Sequence, residues 1–303
     1  MFIGIGVGVC AATLQSICYI LSRGFLTRYG GPVRLMIASQ LVLGLISAVL
    51  LFLLAPPAFF APAIIPGVAL CSGGYIMGQF SFFSAQQKIE CSRVASLYSL
   101  KILVVSLLAA LLVDESLTPG GIAAVLLAVA AVYLINHRRG AGFDHRGMGM
   151  LALAITSFSF SDIGAKMLLD HLTEFLVPHF MAGLITVSCG SLPAALLLLP
   201  AAWRQKIRKE EFSAATPYAV IWFVAVACTF IGFSYLGATF GNVVQSSRGV
   251  ISLILGIVLA HLGAAGQEPQ LPAAAWIKRG IGALLMFLAI LLFATFGRPP
   301  VGA

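Results

Sequence analysis

Two cations set inside apolar stretches, Lys101 and Arg248, are the residues of this chain whose type and position speak most directly of chemistry. Each is flanked mainly by Ser, Leu, Val, Ile, Ala and Gly. An ionised Lys or Arg at the centre of a membrane helix costs about 2.5–3.5 kcal/mol even on mild insertion scales. Two of them cost roughly 5–7 kcal/mol, comparable with the whole stability of many domains. Such groups are expected to meet a wet cavity, a carboxylate or an anionic ligand. Arg offers a planar fork matched to carboxylate or phosphate, and Lys a compact point charge. The pair is therefore expected to bind an anionic group. The competing expectations are a structural ion pair with Glu90, Asp114 or Asp162, or snorkelling to an interface.

Other polar residues cluster around this idea. Asp162, Lys166 and Asp170 fall at i, i+4 and i+8, a spacing that stacks them on one helical face. They read either as a self-neutralising stripe or, for Asp162, as a proton-coupling carboxyl whose pKa burial can raise. Tyr98 precedes Lys101 by three residues and Gln245 precedes Arg248 by three, which would put each beside its cation on a continuous helix. Gln15, Tyr19, Gln79, Tyr235 and Ser247 are further candidates to line a polar path, although any one of them could serve a structural interhelical bond. The five histidines are dispersed without metal-ligand spacing, and the six cysteines show no CxxC pattern, so no metal and no cofactor is expected. Gly4, Gly6 and Gly8, like Gly73-Gly74, lack the strand–turn–helix context of a nucleotide loop and read as helix-packing positions.

The elements that must carry these side chains follow from composition. Hydrophobic residues make up 60% of the 303 and charged residues only 9%, against about 45–50% and about 25% in soluble domains. That excludes a soluble enzyme, a disordered chain and a nucleic-acid-binding domain; the unbroken apolar runs argue against a β-barrel. Apolar stretches lie near Phe2–Leu21, Val33–Leu54, Ile64–Ala85, Ser92–Val113, Gly120–Ile135, Met148–Leu168, Phe175–Leu199, Pro217–Ala238, Asn242–Leu262 and Trp276–Phe296. Each is compatible with a membrane-spanning helix of about 20 residues, the shorter fifth extending into its loop. The N-terminus lacks a positive n-region and reads as the start of the first span. Trp203–Glu211 reads as a short interfacial helix.

The break Asn136–Gly147 divides the chain into two five-span halves, residues 1–140 and 141–303, forming together one membrane domain. Arg23 matches Lys166, Pro32 matches Pro178 and Lys101 matches Arg248, at nearly constant separations. Five is odd, so the second half enters the membrane inverted, an arrangement characteristic of secondary transporters. The expected fold class is an all-α integral membrane protein of ten transmembrane helices in two inverted five-helix repeats.

Ten spans, the five-plus-five repeat and the segment Val113-Asp114-Glu115-Ser116-Leu117-Thr118, with Gln267-Glu268-Pro269-Gln270-Leu271 at the equivalent place, resemble the drug/metabolite transporter superfamily, in particular its EamA-like branch. Asp114 stands where that family's turn usually has Gly, and Lys101 where many members have Pro. The resemblance implies a non-enzymatic transporter working by alternating access around a central cavity, with export slightly preferred. An amino acid or related carboxylate is the first expectation for cargo, anionic or zwitterionic. A phosphorylated-metabolite or drug transporter of the same fold, a membrane receptor and a membrane enzyme are the alternatives. Membrane lipids and a coupling proton are the other expected partners, with monomer and homodimer both open.

Fourteen of the 18 Lys and Arg flank odd-numbered loops: Arg23, Arg28, Arg34, Lys88, Arg93, Arg138, Arg139, Arg146, Arg204, Lys206, Arg208, Lys209, Lys278 and Arg279. By the positive-inside rule this places those loops in the cytoplasm and both termini outside a cell inner (plasma) membrane.

Overall fold

The computed structural model describes residues 1–303 except 57–58, 60, 90–93, 95–96, 113–117, 137–144, 262–272 and 297–303. The side chains at 132, 135–136, 253, 256–261, 273–276, 279–280, 283, 286 and 294 also lie outside the description. The described residues form helices and no strand. These are α1 (Phe2–Tyr29), α2 (Pro32–Leu54), a 3-10 turn (Pro62–Ile64), α3 (Ile65–Gln86), α4 (Lys101–Leu112) and α5 (Pro119–Asn136). Then come α6 (His145–Thr173), α7 (His179–Gln205), α8 (Lys209–Leu236), α9 (Ala238–Gln245), α10 (Arg248–His261) and α11 (Ala273–Phe296).

Their side chains are distributed as a bilayer demands. Phe52, Leu45 and Leu197 face outward, whereas Gln15, Gln79, Gln245, Lys101 and Arg248 are buried. With no water in hydrocarbon to satisfy polar groups, these must find partners inside the bundle. Among the described residues, α1, α2, the 3-10 turn with α3, α6, α7 and α8 are each long and apolar enough to cross a membrane. The chain is an all-α multi-pass membrane protein.

The first reversal is forced by sequence. Gly30 and Gly31 both take positive φ, at 65° and 68°, which side chains resist, and Pro32 opens α2 where its missing N–H costs nothing. Close crossings use small residues in the same way. A Cβ on Gly164 of α6 would lie 2.5 Å from the Cys71 nitrogen and 2.6 Å from the Gly67 oxygen of α3. The α3–α6 crossing is therefore backbone on backbone, and it fixes the face of α6 that carries Asp162. Helices pair most extensively as α3 with α6, α1 with α8, α2 with α7 and α5 with α11. Exchanging the first five spans for the second five leaves that set of pairings unchanged. The expected boundary near residue 140 lies outside the described residues.

Three boundaries differ from the sequence reading. The apolar stretch Asn242–Leu262 is not one helix: α8 stops at Gly237, whose φ is 78°, α9 begins at once, and the helix breaks again at Ser246-Ser247 before α10. In the stretch Ser92–Val113 the chain turns at Ser99-Leu100, and the helix proper starts at Lys101. Lys101 and Arg248 thus stand at the first residues of half-helices rather than in the middle of continuous ones. Serine explains the second break locally, since Ser246 Oγ bonds the Val243 carbonyl at 2.5 Å and offers the backbone an alternative to the helical ladder. Finally, Trp203–Glu211 is not an interfacial helix. α7 runs through Gln205, the chain reverses at Lys206 with φ 45°, and α8 starts at Lys209.

Candidate functional site

The two interruptions meet. Ser99 Oγ donates to the Ser246 carbonyl at 3.2 Å, so the turn before α4 touches the turn before α10. The same Ser246 carbonyl also accepts from the Gly249 N–H at 3.2 Å, so the backbone at this break is satisfied inside the bundle. Each half-helix starts with a cation, and its first N–H groups are bonded within the preceding turn, as Ile102 is to the Ser99 carbonyl and Gly249 to the Ser246 carbonyl.

Lys101 is paired. Its Nζ lies 2.7 Å from Asp162 Oδ2, with the side chains 5% and 8% exposed. Asn242 of α9 donates to the same oxygen at 2.8 Å, so α4, α6 and α9 are joined at one carboxylate. Of the partners open from sequence, Asp162 is the one observed; Glu90 and Asp114 lie outside the described residues.

Arg248 is differently placed. It is 2% exposed and donates through NH1 to Gln15 Oε1 at 2.6 Å and to the Tyr19 hydroxyl at 3.3 Å, both on α1. Its guanidinium carbon sits 4.5 Å from the centre of the Tyr98 ring. Among the described residues no carboxylate pairs with it, and its Nε has no hydrogen-bond partner. Lys101, Asp162 and Arg248 together leave one net positive charge buried at the middle of the bundle. Burying such a charge is costly unless something neutralises it.

The remaining candidates divide. Gln15 joins the site and also donates to Thr229 at 3.1 Å. Tyr98 lies between both cations, 5.4 Å from Lys101 Nζ, but the turn at Ser99-Leu100 separates it from the helix of Lys101. Gln245 does not pair with Arg248: the break at Ser246 swings it away, and its amide donates to Thr229. Ser247 lies in the break with its hydroxyl buried and unbonded. Gln79 belongs to a neighbouring polar group, donating to Tyr75 at 2.8 Å and Tyr218 at 3.2 Å.

Two expectations about span six and span eight are corrected. Asp162, Lys166 and Asp170 do not act as one stripe. A helix advances 400° in four residues, so the face drifts by about 40° per step and the residues climb about 6 Å each time. Asp162 turns into the core, while Lys166 pairs with Asp170 at the end of α6. Tyr235 is not in the central site. Its ring stacks on His179 at 4.1 Å, at the end of the bundle where α6 passes into α7.

Thr229 was missed from sequence, although both Gln15 and Gln245 bond it. A threonine in an apolar helix commonly bonds its own backbone, as this one does to Ala225 at 2.9 Å, so its type carried no signal. Phe82 and Phe158 were missed as well; both pack in ring contact with Tyr98, at 5.5 and 5.6 Å.

Comparison with known proteins agrees with this architecture. Residues 2–137 match the EamA-like transporter family. A solved crystal structure shares the fold at a TM-score of 0.62 and 18% identity, covering 97% of this chain and 96% of that one. No curated protein matches it. The first five spans, a little under half of the chain, are thus similar to the EamA-like transporter family, and nearly the whole length shares the fold of the solved structure.

Proposed function

We propose that the protein is a secondary transporter for a small polar metabolite bearing an anionic group, an amino acid or related carboxylate, and that Arg248 is the group that receives the anion. The observation that carries this reading is a buried guanidinium with a free Nε and no carboxylate partner among the described residues. A monoanion at Arg248 would bring the buried cluster to neutrality and exploit a fork geometry built for oxyanions. Tyr19, Gln15 and Tyr98 already hold the guanidinium in place. Alternating access would then move the two half-helix ends, which touch through Ser99 and Ser246, past one another.

Asp162 is the proposed proton site. Its carboxylate holds Lys101 and Asn242 together, so taking up a proton on Asp162 would release both at once. Export is the preferred direction, with the termini outside the plasma membrane.

Reconstituted Arg248→Gln protein should fold, yet lose flux of a carboxylate substrate and lose the thermal stabilisation that substrate confers on the native state. Retention of substrate affinity in that variant would overturn the assignment. Asp162→Asn should abolish proton-driven accumulation while leaving substrate exchange, and unaltered pH dependence would remove the proton role. A reporter active in only one compartment, fused to the C-terminus, checks the orientation.

A further inference from the structure

A cleft of about 530 Å³ opens at the opposite end of α6 from its N-terminus, between α6, α7 and α8. It is separate from the Arg248 site, and its polar lining is of another kind. Lys166 and Asp170 form an ion pair on its wall, with side chains 19% and 52% exposed. His179 and Tyr235 stack across from them, and Ser234 lies beside Tyr235. The rest of the wall is apolar, including Val177 and Phe233. Its volume is within the range of small-molecule sites, which are mostly apolar with a few converging polar groups.

The charges say which ligand fits. The central site carries an unbalanced positive charge, whereas Lys166 and Asp170 offer one charge of each sign side by side. An ion pair this exposed is held weakly against water, so a ligand can insert between its partners at little cost. We propose that this cleft is a second binding site, a vestibule that takes a free zwitterion with an apolar side group. The ligand carboxylate would face Lys166 and His179, its ammonium would face Asp170, and its side group would lie against Phe233 and Val177. The Lys166 position is one helical turn beyond Asp162, so the cleft adjoins the central site on the outer side, where exported substrate leaves. The proposal deepens the transporter reading but its test does not depend on Arg248.

The phosphoethanolamine headgroup of a lipid has the same pairing of ammonium and oxyanion, and the experiment separates the two sources. Purified full-length Arg248→Gln protein, which keeps the cleft intact, is titrated with L-leucine, 4-methylpentanoate and 3-methylbutylamine. These share one side group and carry both charges, the anion alone and the cation alone. Leucine should bind at least tenfold more tightly than either analogue, and Asp170→Asn or Lys166→Gln should bring it down to their level. Equal binding of 4-methylpentanoate, or leucine binding unchanged in both variants, would overturn the proposal. Leucine binding seen in phosphatidylglycerol nanodiscs but lost in phosphatidylethanolamine nanodiscs would assign the cleft to a headgroup and overturn it too. With Arg248 present, Asp170→Asn should raise KM for zwitterions supplied from the outer side with kcat retained, a split that a purely structural ion pair would not produce.

Discussion

Replacing Asp162 by Asn tests the central charge arrangement most directly. In the native protein the Lys101–Asp162 contact is 2.7 Å long, and neither side chain exceeds 8% exposure. Two unit charges about 4 Å apart attract by about 4 kcal/mol at an effective dielectric constant near 20. At this separation and depth the attraction is no weaker. The substitution keeps volume and a hydrogen-bonding group for Asn242, but it leaves Lys101 unpaired and raises the buried charge from +1 to +2. Removing one partner of a buried pair costs about 3–5 kcal/mol, whereas replacing both by apolar groups is often close to neutral. Asp162→Asn alone should therefore destabilise by about 3–5 kcal/mol, and Lys101→Met with Asp162→Leu by about 1 kcal/mol or less. Reversible unfolding in mixed micelles with increasing SDS measures both, and a double-mutant cycle with Lys101→Met isolates the coupling. A coupling energy below about 0.5 kcal/mol would refute the reasoning, because it would mean the carboxylate does not compensate the cation.

Arg248→Met should behave in the opposite way. It removes an unbalanced buried charge, whose cost of about 2.5–3.5 kcal/mol is offset by charge-assisted bonds worth about 1.5–3 kcal/mol. Unfolding in the absence of substrate should show equal or slightly higher stability, while substrate no longer raises it; a clear loss of stability would mean Arg248 is structural. At the α3–α6 crossing, Gly164→Ala should cost about 1–3 kcal/mol in the same assay, because the new Cβ meets backbone atoms that cannot move aside. Gly6→Ala is its control, since a Cβ there meets nothing within 4 Å, and its stability should not fall.

Much of this protein was legible in its sequence, and for physical reasons. Hydrocarbon forbids unsatisfied backbone, so long apolar runs must be helices, and their number and the flanking Gly-Pro turns follow from composition. The cost of an intramembrane cation singled out Lys101 and Arg248 before any fold was known, and both are buried at its centre. Both cations stand at the first residue of a half-helix, and the two turns before them touch through Ser99 and Ser246. Tertiary structure decided how they are used. Sequence spacing assigns Tyr98 to Lys101 and Gln245 to Arg248, on the assumption of continuous helices. The break at Ser246-Ser247 cancels that assumption for Gln245, which goes to Thr229, whereas Tyr98 stays beside Lys101 and also lies beneath the Arg248 guanidinium. Periodicity describes one helix at a time, so it placed Asp162 in a stripe with Lys166 and Asp170. Only the packing of α4 and α9 against α6 brings Lys101 and Asn242 to that carboxylate, and so pairs one cation while the other has no carboxylate among the described residues.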